Sequence, residues 1–295
     1  MAKPFLKWAG GKRLLAPRIA ELAPNGFRRY IEPFLGAGAV FFALKERQPE
    51  MPAVLSDTNA ELINAFETVR DRCDALVETL RKLEASYLPL DREARAKRYY
   101  ELREAAPEEP TARAARTIFL NRTGYNGLYR VNREGRFNVP HGRYANPTIC
   151  DETTLRAAEE ALQGTVTMVA DFGAICRGAS AGDFVYLDPP YQPLSPTSSF
   201  TSYTPAGFGP DAQVRLRDEF ESLTRRGVAA LLSNSEHPEI RSLYEEKDYG
   251  YRFEAVPMGR SINSIGSGRK PIPELLISNF GRREVSRGLA MVAPY

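Results

Sequence analysis

The sequence has few of the side chains on which metal centres and covalent catalysis depend. Its three cysteines, Cys73, Cys150 and Cys176, are odd in number and far apart, so we expect neither a disulfide framework nor a zinc site. His141 and His237 are the only histidines, which argues against a histidine-based metal site and against a serine-type triad. The composition therefore predicts a protein that works without a metal ion.

Long apolar runs are also missing. No stretch approaches the length that crosses a membrane, and residues 1–5 lack the apolar core of a signal peptide. Hydrophobic residues make up 43% of the chain and charged residues 26%, which is ordinary for a globular protein. We expect a reduced, cytoplasmic protein that is monomeric in solution, makes no contact with a membrane, and has one large or two modest domains.

Positive charge is low overall but concentrated in one stretch. The formal net charge is +3, whereas residues 113–144 contain seven arginines and a single glutamate. Glycines and five aromatic residues alternate with these arginines, namely Phe119, Tyr125, Tyr129, Phe137 and Tyr144. Arginine gives bidentate contacts to phosphates and bases, so the pattern favours nucleic-acid binding over the alternative of a solvated basic face.

A glycine loop lies between two predicted strands near the amino terminus. Residues 30–34 predict a strand that runs into Leu35-Gly36-Ala37-Gly38, a helix follows from residue 39 to about 46, and a second strand ends at Asp57. This order is typical of a nucleotide-binding unit, in which the acid accepts ribose hydroxyls. A tight strand-to-helix turn is the structural alternative for the glycines.

The middle of the chain predicts helices. Apolar residues recur at helical spacing over residues 59–83, and further helical patterns cover about 93–105 and 110–120. Strands and helices alternate again after about residue 162, with strands expected at 165–169, 184–187, 228–234, 251–256 and 275–278. We predict an α/β protein with a Rossmann-like sheet, formed by residues 1–58 and 163–295, and an inserted, mainly helical domain at residues 59–162.

The tetrapeptide Asp188-Pro189-Pro190-Tyr191 directly follows the apolar strand 184–187. The carboxyl end of such a strand is where open α/β sheets bind ligands. An Asp188 oxygen and the Pro189 carbonyl are both acceptors, and an exocyclic amine offers two N–H donors to them. Tyr191 can stack on the heterocycle that carries the amine. The motif predicts alkylation of such an amine, and a rigid turn is its structural alternative.

Two further segments are candidates for the site. In residues 5–12, Gly10 and Gly11 permit close approach of the backbone to a ligand, and Lys12 could neutralise a carboxylate there; Trp8 as a core residue over a glycine turn is the alternative. The loop 192–210, which holds Phe200 and Tyr203, is long enough to act as a lid.

Taken in linear order, these motifs resemble those of the Dam-type (D12 class) DNA adenine-N6 methyltransferases. The matching blocks span nearly the whole chain and lie at residues 5–12, 32–38, 55–59, 121–128, 137–144, 188–203 and 260–276. The resemblance implies S-adenosylmethionine as methyl donor and double-stranded DNA as substrate, with GATC as the target sequence. It also implies that the inserted domain is a target-recognition domain, and that the adenine is flipped out of the duplex for direct transfer.

The resemblance assigns roles residue by residue. It implies catalytic roles for Asp188, Pro189 and Tyr191. It implies donor binding by Trp8, Lys12, Asp57 and Asp188, and we expect Phe34, Gly36 and Gly38 of the glycine loop to bind the donor as well. It implies that Lys7, Leu128, Arg130, Pro140 and Arg143 read or position the target, with Arg130 our choice for reading guanine. We expect DNA contacts also from Arg122 and from Tyr125, Asn126 and Tyr144, which lie beside these residues in sequence. Thr123 and His141 stand where relatives often have aromatic residues. The prediction of GATC as recognition sequence is therefore weaker than the prediction of adenine as target base.

Three other functions are alternatives. The chain could methylate another amine, such as cytosine N4, RNA adenine or a protein glutamine, or it could bind DNA without catalysis. A dehydrogenase is disfavoured because residues 34–38 lack the third glycine of the dinucleotide motif. The sequence leaves open whether the enzyme acts alone or beside a restriction nuclease, and whether Arg282, Arg283 and Arg287 contact DNA or belong to a disordered tail.

Overall fold

The computed structural model describes residues 1–8, 10–132, 134–190, 208–245, 249–257 and 273–281. Several sequence-based predictions fall outside these residues: Tyr191, the lid residues Phe200 and Tyr203, most of the block 260–276, and the tail arginines Arg282, Arg283 and Arg287.

The described residues form a seven-stranded sheet in the order β3-β2-β1-β4-β5-β7-β6. The strands are β1 Arg29–Glu32, β2 Ala53–Asp57, β3 Val166–Val169, β4 Asp183–Leu187, β5 Ala229–Ser235, β6 Arg252–Val256 and β7 Glu274–Ser278. The first five strands are parallel to one another, and β7 lies antiparallel between β5 and β6. Every residue of β4 and β7 is buried, as expected for strands in the interior of a sheet that is covered on both faces.

Helices cover the sheet and extend from it. They are α1 Ala16–Leu22, α2 Ala39–Arg47, α3 Ala60–Asp71, α4 Cys73–Tyr87, α5 Arg92–Glu104, α6 Pro110–Thr123, α7 Glu152–Leu162, α8 Phe172–Arg177, α9 Pro210–Arg225 and α10 Pro238–Glu245. Five of these helices are capped by a side-chain oxygen that accepts a backbone N–H of the first turn. The capping residues are Asn59, Asp91, Glu109, Asp151 and Asp171. These caps explain where the helices begin.

The long helix predicted over residues 59–83 is wrong as a single element. Arg72 has φ −142° and ψ 35°, which ends α3 and starts α4 one residue later. Buried residues continue on both sides of the break, from Val69 to Cys73 and Leu76. Because the apolar spacing passes through the break, the sequence pattern could not reveal it.

One apolar core joins the helical segment to the sheet. Tyr30, Leu55 and Phe184 of the strands belong to the same buried cluster as Leu76 of α4 and Phe119 of α6. The α/β architecture is confirmed, while the division into domains at residues 58 and 162 stays a prediction.

The order of the strands determines where this sheet has its topological switch point. From β1 the chain moves outward to β2 and β3, and it returns to the other side of β1 at β4. The carboxyl ends of β1 and β4 therefore flank the topological switch point, where such sheets bind ligands. Glu32 ends β1, and Asp188 directly follows β4.

Candidate active site

A cavity of about 500 Å³ opens at the carboxyl ends of β1, β2 and β4, a size that suits a small-molecule ligand. The structure brings together in its lining all the residues predicted to bind the donor, together with Pro189: Trp8, Lys12, Phe34, Gly36, Gly38, Asp57 and Asp188. Trp8 packs against the apolar core and also lines this cavity, so it is not a core residue alone.

The glycine loop between β1 and α2 forms one wall. Gly36 and Gly38 have φ of +48° and +68°, a left-handed conformation that favours glycine. A Cβ atom on Gly36 would lie 3.1 Å from Cδ1 of Trp8, and one on Gly38 would lie 3.3 Å from Cε1 of Phe66. The positive φ therefore favours glycine at both positions, and a Cβ atom at either would make a tight contact.

Asp57, at the end of β2, holds this loop in place. Its two carboxylate oxygens accept the N–H groups of Gly36 at 3.1 Å and of Asn59 at 3.0 Å. Burial raises the pKa of Asp57, and the backbone hydrogen bonds oppose that rise. Since each oxygen has a second lone pair, the carboxylate still has capacity to accept ligand hydroxyls.

A buried ion pair lies at the other side of the cavity. Lys12 Nζ is 2.7 Å from Asp188 Oδ1 and 3.5 Å from Glu274 Oε1, and the lysine is only 5% exposed. Burial alone would lower the pKa of Lys12, but Asp188 and Glu274 together raise it above its ordinary value. Burial raises the pKa of Asp188, while Lys12 and Ser233 pull it down. Lys12 therefore faces the predicted catalytic carboxylate directly, a contact that the sequence did not reveal.

A hydroxyl chain supports the same carboxylate oxygen. Ser233 Oγ donates to Asp188 Oδ1 at 3.1 Å and lies 2.7 Å from the Tyr186 hydroxyl. Because the single proton of Ser233 is used toward Asp188, the Tyr186 hydroxyl donates to Ser233. The sequence analysis did not assign a role to Ser233. Its position near the end of β5, the strand beside β4, could have indicated that it lies close to Asp188.

Glu32 forms a buried acidic floor. It is 2% exposed, and its Oε2 has no hydrogen-bond partner among the described residues. Burial raises the pKa of Glu32 well above its ordinary value, and the charge of Asp188 adds to the rise. The sequence placed Glu32 in a matching block but assigned it no role.

Three phenylalanine rings form another part of the lining. Phe34 stacks on Phe172 with ring centroids 5.2 Å apart, and Phe208 meets both rings at 5.9 and 6.0 Å. The Arg215 guanidinium lies 4.2 Å from the centroid of the Phe172 ring and forms an ion pair with Asp171. Sequence reasoning missed these residues apart from Phe34. The position of Asp171 and Phe172 just after β3 was a usable signal, whereas Phe208 had none.

Most residues predicted to contact DNA lie on the segment 124–144, which follows α6. Its two ends pair through the bridge between Gly124 and His141 and through the bond from the N–H of Tyr125 to the Pro140 carbonyl, at 2.9 Å. Lys7, from the amino-terminal segment, lies over the Tyr144 ring at 5.7 Å. The structure thereby brings together Lys7, Tyr125, Asn126, Leu128, Arg130, Pro140, Arg143 and Tyr144.

Arg130 and Arg122, both predicted to contact DNA, form hydrogen bonds inside the protein. Arg130 donates to Oδ1 and to the carbonyl of Asn138, at 2.7 and 3.3 Å, which fixes the direction of its side chain. Arg122 instead lies on α6 and donates to the Phe5 carbonyl at 2.9 Å, and burial lowers its pKa. This contact ties α6 to the amino-terminal segment, and a DNA contact by Arg122 stays a prediction.

The two departures from the family pattern are packed inside the protein. Thr123 is 1% exposed and donates to the Phe119 carbonyl at 2.7 Å, and His141 is 9% exposed with Nε2 at 2.7 Å from the Tyr87 hydroxyl. Burial lowers the pKa of His141, and nearby arginines add to the effect. Either residue can therefore change DNA contacts only through the neighbours that it positions.

Neither a metal centre nor a membrane-spanning helix is found in the described ranges. No group of three or more His, Cys, Asp or Glu side chains there is arranged to hold a metal ion. No helix of that part is long and apolar enough to cross a bilayer.

Comparison with known proteins gives consistent matches. A family model described as D12 class N6 adenine-specific DNA methyltransferase matches residues 8–257. The type II methyltransferase M.MjaIII of Methanocaldococcus jannaschii is 42% identical over 290 residues, which cover 94% of this chain and 99% of that protein. The DNA adenine methylase of Salmonella typhi is 36% identical over 276 residues, which cover 93% of this chain and 94% of that protein.

We predict that Glu32→Gln removes a pH-dependent loss of stability. The raised pKa of Glu32 means that folding favours its protonated form, so ionisation weakens the wild-type fold as pH rises above the ordinary glutamate value. Urea unfolding from pH 4 to pH 8 should show a free energy of unfolding that falls more steeply for the wild type than for Glu32→Gln. The exposed substitution Glu78→Gln serves as control, and equal slopes for Glu32→Gln and the wild type would contradict the prediction.

Proposed function

The chain belongs to the D12 class N6 adenine-specific DNA methyltransferases, and on that premise we propose that it transfers the methyl group of S-adenosylmethionine to adenine N6 within GATC in double-stranded DNA. The observation that carries this proposal is the position of Asp188 and Pro189, which directly follow β4 and line the cavity. One carboxylate and one carbonyl there match the two N–H donors of an exocyclic amine.

The charge and shape of the cavity support S-adenosylmethionine as donor. Its described lining has four acidic side chains, from Glu32, Asp57, Asp171 and Asp188, and two cations, from Lys12 and Arg215. Asp188 and Asp171 form ion pairs with these cations, and the raised pKa of Glu32 favours its neutral form. Asp57 therefore adds a carboxylate without a paired cation among the described residues, which favours a ligand that carries a positive charge. S-adenosylmethionine, when bound, supplies a methyl group activated by its positively charged sulfur.

Two walls would orient the nucleoside part of the donor. Asp57 stands at the end of β2, where an acid accepts ribose hydroxyls. The rings of Phe34, Phe172 and Phe208 offer an apolar surface for a flat base. Gly36 and Gly38 let the backbone approach closely between these walls.

The target amine would be held by acceptors from this chain. Lys12 and Ser233 both engage Oδ1 of Asp188, and we propose that Oδ2 and the Pro189 carbonyl accept the two N6 hydrogens. Two acceptors fix the orientation of the amine and direct its nitrogen lone pair toward the cavity. Asp188, whose pKa burial raises, is also placed to take the proton that the amine loses. Positioning of this kind can supply about 7–11 kcal/mol of barrier lowering.

DNA would be bound by the basic segment 124–144 together with Lys7. An adenine inside a duplex cannot reach the cavity, so we propose that it is flipped out of the stack, with Tyr191 stacking on it. Arg130, fixed by Asn138, is our choice for bidentate reading of guanine. We keep residues 59–162 as the proposed target-recognition domain, between two parts of the catalytic domain at 1–58 and 163–295. We also propose a cytoplasmic monomer, since one chain carries both surfaces.

We predict that Asp188→Ala reduces methyl transfer to DNA by at least a thousandfold, because the amine loses the acceptor that orients it, while DNA affinity changes little. Single-turnover assays with methyl-labelled S-adenosylmethionine and a GATC duplex measure the transfer, and gel-shift titration measures DNA affinity. Asp218→Ala, at an exposed position of α9, is the matched control. Near-normal turnover of Asp188→Ala would rule out the assignment.

We predict that wild-type label lies on adenine N6 within GATC and that Arg130→Ala spreads it to sites with another base at one position. Loss of one bidentate contact costs about 1–3 kcal/mol of discrimination. Mapping of modified bases at single-nucleotide resolution checks both statements, with Arg136→Ala on the same segment as control. Wild-type label on another adenine motif would overturn the GATC assignment, and label on RNA or protein alone would overturn DNA as substrate.

A further inference from the structure

The side chain of Asn121 ties the amino-terminal segment 5–12 to residues 124–144, the proposed DNA-facing segment. Asn121, at 3% exposure near the end of α6, accepts the N–H of Lys7 on Oδ1 at 2.9 Å. Its amide nitrogen donates to the Lys7 carbonyl at 2.8 Å and to the Gly127 carbonyl at 2.9 Å. Gly127 must be glycine here, because a Cβ atom would lie 2.5 Å from Cδ of Lys7 and φ is +63°. The two segments are therefore held together at this point.

The next residue, Trp8, joins the donor cavity to the same segment. Its indole lies beside the glycine loop, since a Cβ atom added to Gly36 would lie 3.1 Å from Cδ1 of Trp8. Its ring also stacks on Tyr129, with centroids 4.9 Å apart and planes inclined by 26°. Tyr129 lies outside the cavity, yet it backs the residue that forms the cavity wall.

Tyr129 is fixed from its other side by the DNA-facing segment. Its ring meets Phe137 edge to face at 5.5 Å. In sequence it stands between Leu128 and Arg130, both predicted to contact DNA, and Arg130 is tied to Asn138, next to Phe137. A shift of the Tyr129 ring would therefore move the backbone that carries the proposed base-reading arginine.

We propose that Tyr129 is a positioning residue that couples methyl-donor binding to DNA recognition. A donor that packs against Trp8 restricts the indole, the indole restricts Tyr129, and Tyr129 fixes Leu128 and Arg130 in the arrangement that reads DNA. Linkage requires the effect to be reciprocal, so DNA bound to this segment must tighten donor binding by the same factor. The inference rests on the proposed function, because it takes S-adenosylmethionine and GATC duplex as the two ligands.

The test measures the coupling factor with a ligand that cannot be turned over. Isothermal titration calorimetry gives the dissociation constant of S-adenosylhomocysteine for the full chain, with and without a saturating GATC duplex. We expect the duplex to lower the wild-type constant about tenfold, within the usual range for coupled sites. Tyr129→Leu, which removes the stacked ring, should bring the ratio close to one, and Tyr129→Phe, which keeps the ring, should retain it. Trp8, the only tryptophan, gives a second, fluorescence readout at the cavity.

A second variant guards against a folding defect in Tyr129→Leu. Phe137→Leu removes the other contact of the Tyr129 ring at a position away from the cavity, and we expect it to lower the coupling ratio without changing S-adenosylhomocysteine affinity in the absence of DNA. Circular dichroism verifies the fold of each variant. A wild-type ratio near one, or an unchanged ratio in both Tyr129→Leu and Phe137→Leu, would overturn the inference.

Failure of the inference is distinguishable from failure of the proposed function. If wild-type protein methylates GATC duplex while the coupling ratio does not depend on Tyr129, only the role of Tyr129 is lost. If wild-type protein transfers no methyl group to DNA, the proposed function itself is wrong, whatever the ratio.

Discussion

The buried ion pair between Lys12 and Asp188 is the interaction on which the rest of the site depends. Removing two charges from water costs several kcal/mol per ion, and a short contact with further hydrogen bonds is needed to offset that cost. Here Ser233 donates to Asp188 and Glu274 lies 3.5 Å from Lys12, so β5, β7, the end of β4 and the amino-terminal segment meet at this ion pair. Lys12 and Ser233 oppose the rise that burial gives the pKa of Asp188, which favours the ionised form that the proposed acceptor role requires.

The same amino-terminal segment reaches both proposed ligand surfaces. Within six residues it provides Lys7, which lies over Tyr144 of segment 124–144, Trp8 to the cavity lining and Lys12 to Asp188. Asn121 fixes this segment at its middle, and the Gly10 carbonyl accepts a bond from Lys12 at its end. A change in any one of these contacts is therefore transmitted to the others through a short, well-anchored stretch of backbone.

Sequence reasoning recovered what local order determines. Asp57 and Asp188 follow apolar strands, and the glycines follow β1, so their convergence at one sheet edge could be predicted from a parallel arrangement. Contacts between distant segments could not be predicted this way: Lys12 with Asp188, Ser233 under the same oxygen, and Trp8 on Tyr129 depend on tertiary packing. The break at Arg72 was hidden because the apolar spacing continues through it, and the insertion of β7 between β5 and β6 leaves no local signal.

The pH dependence of methyl transfer in a Lys12→Gln variant tests the central claim most directly. If Lys12 holds Asp188 in its ionised form, its loss raises the pKa of that carboxyl further, since burial then acts unopposed by the cation. Single-turnover rates at saturating donor and DNA should then fall on the acid side at a higher pH than in the wild type, whereas the exposed control Lys82→Gln should match the wild type. An acid limb of Lys12→Gln that coincides with the wild-type limb would contradict the account.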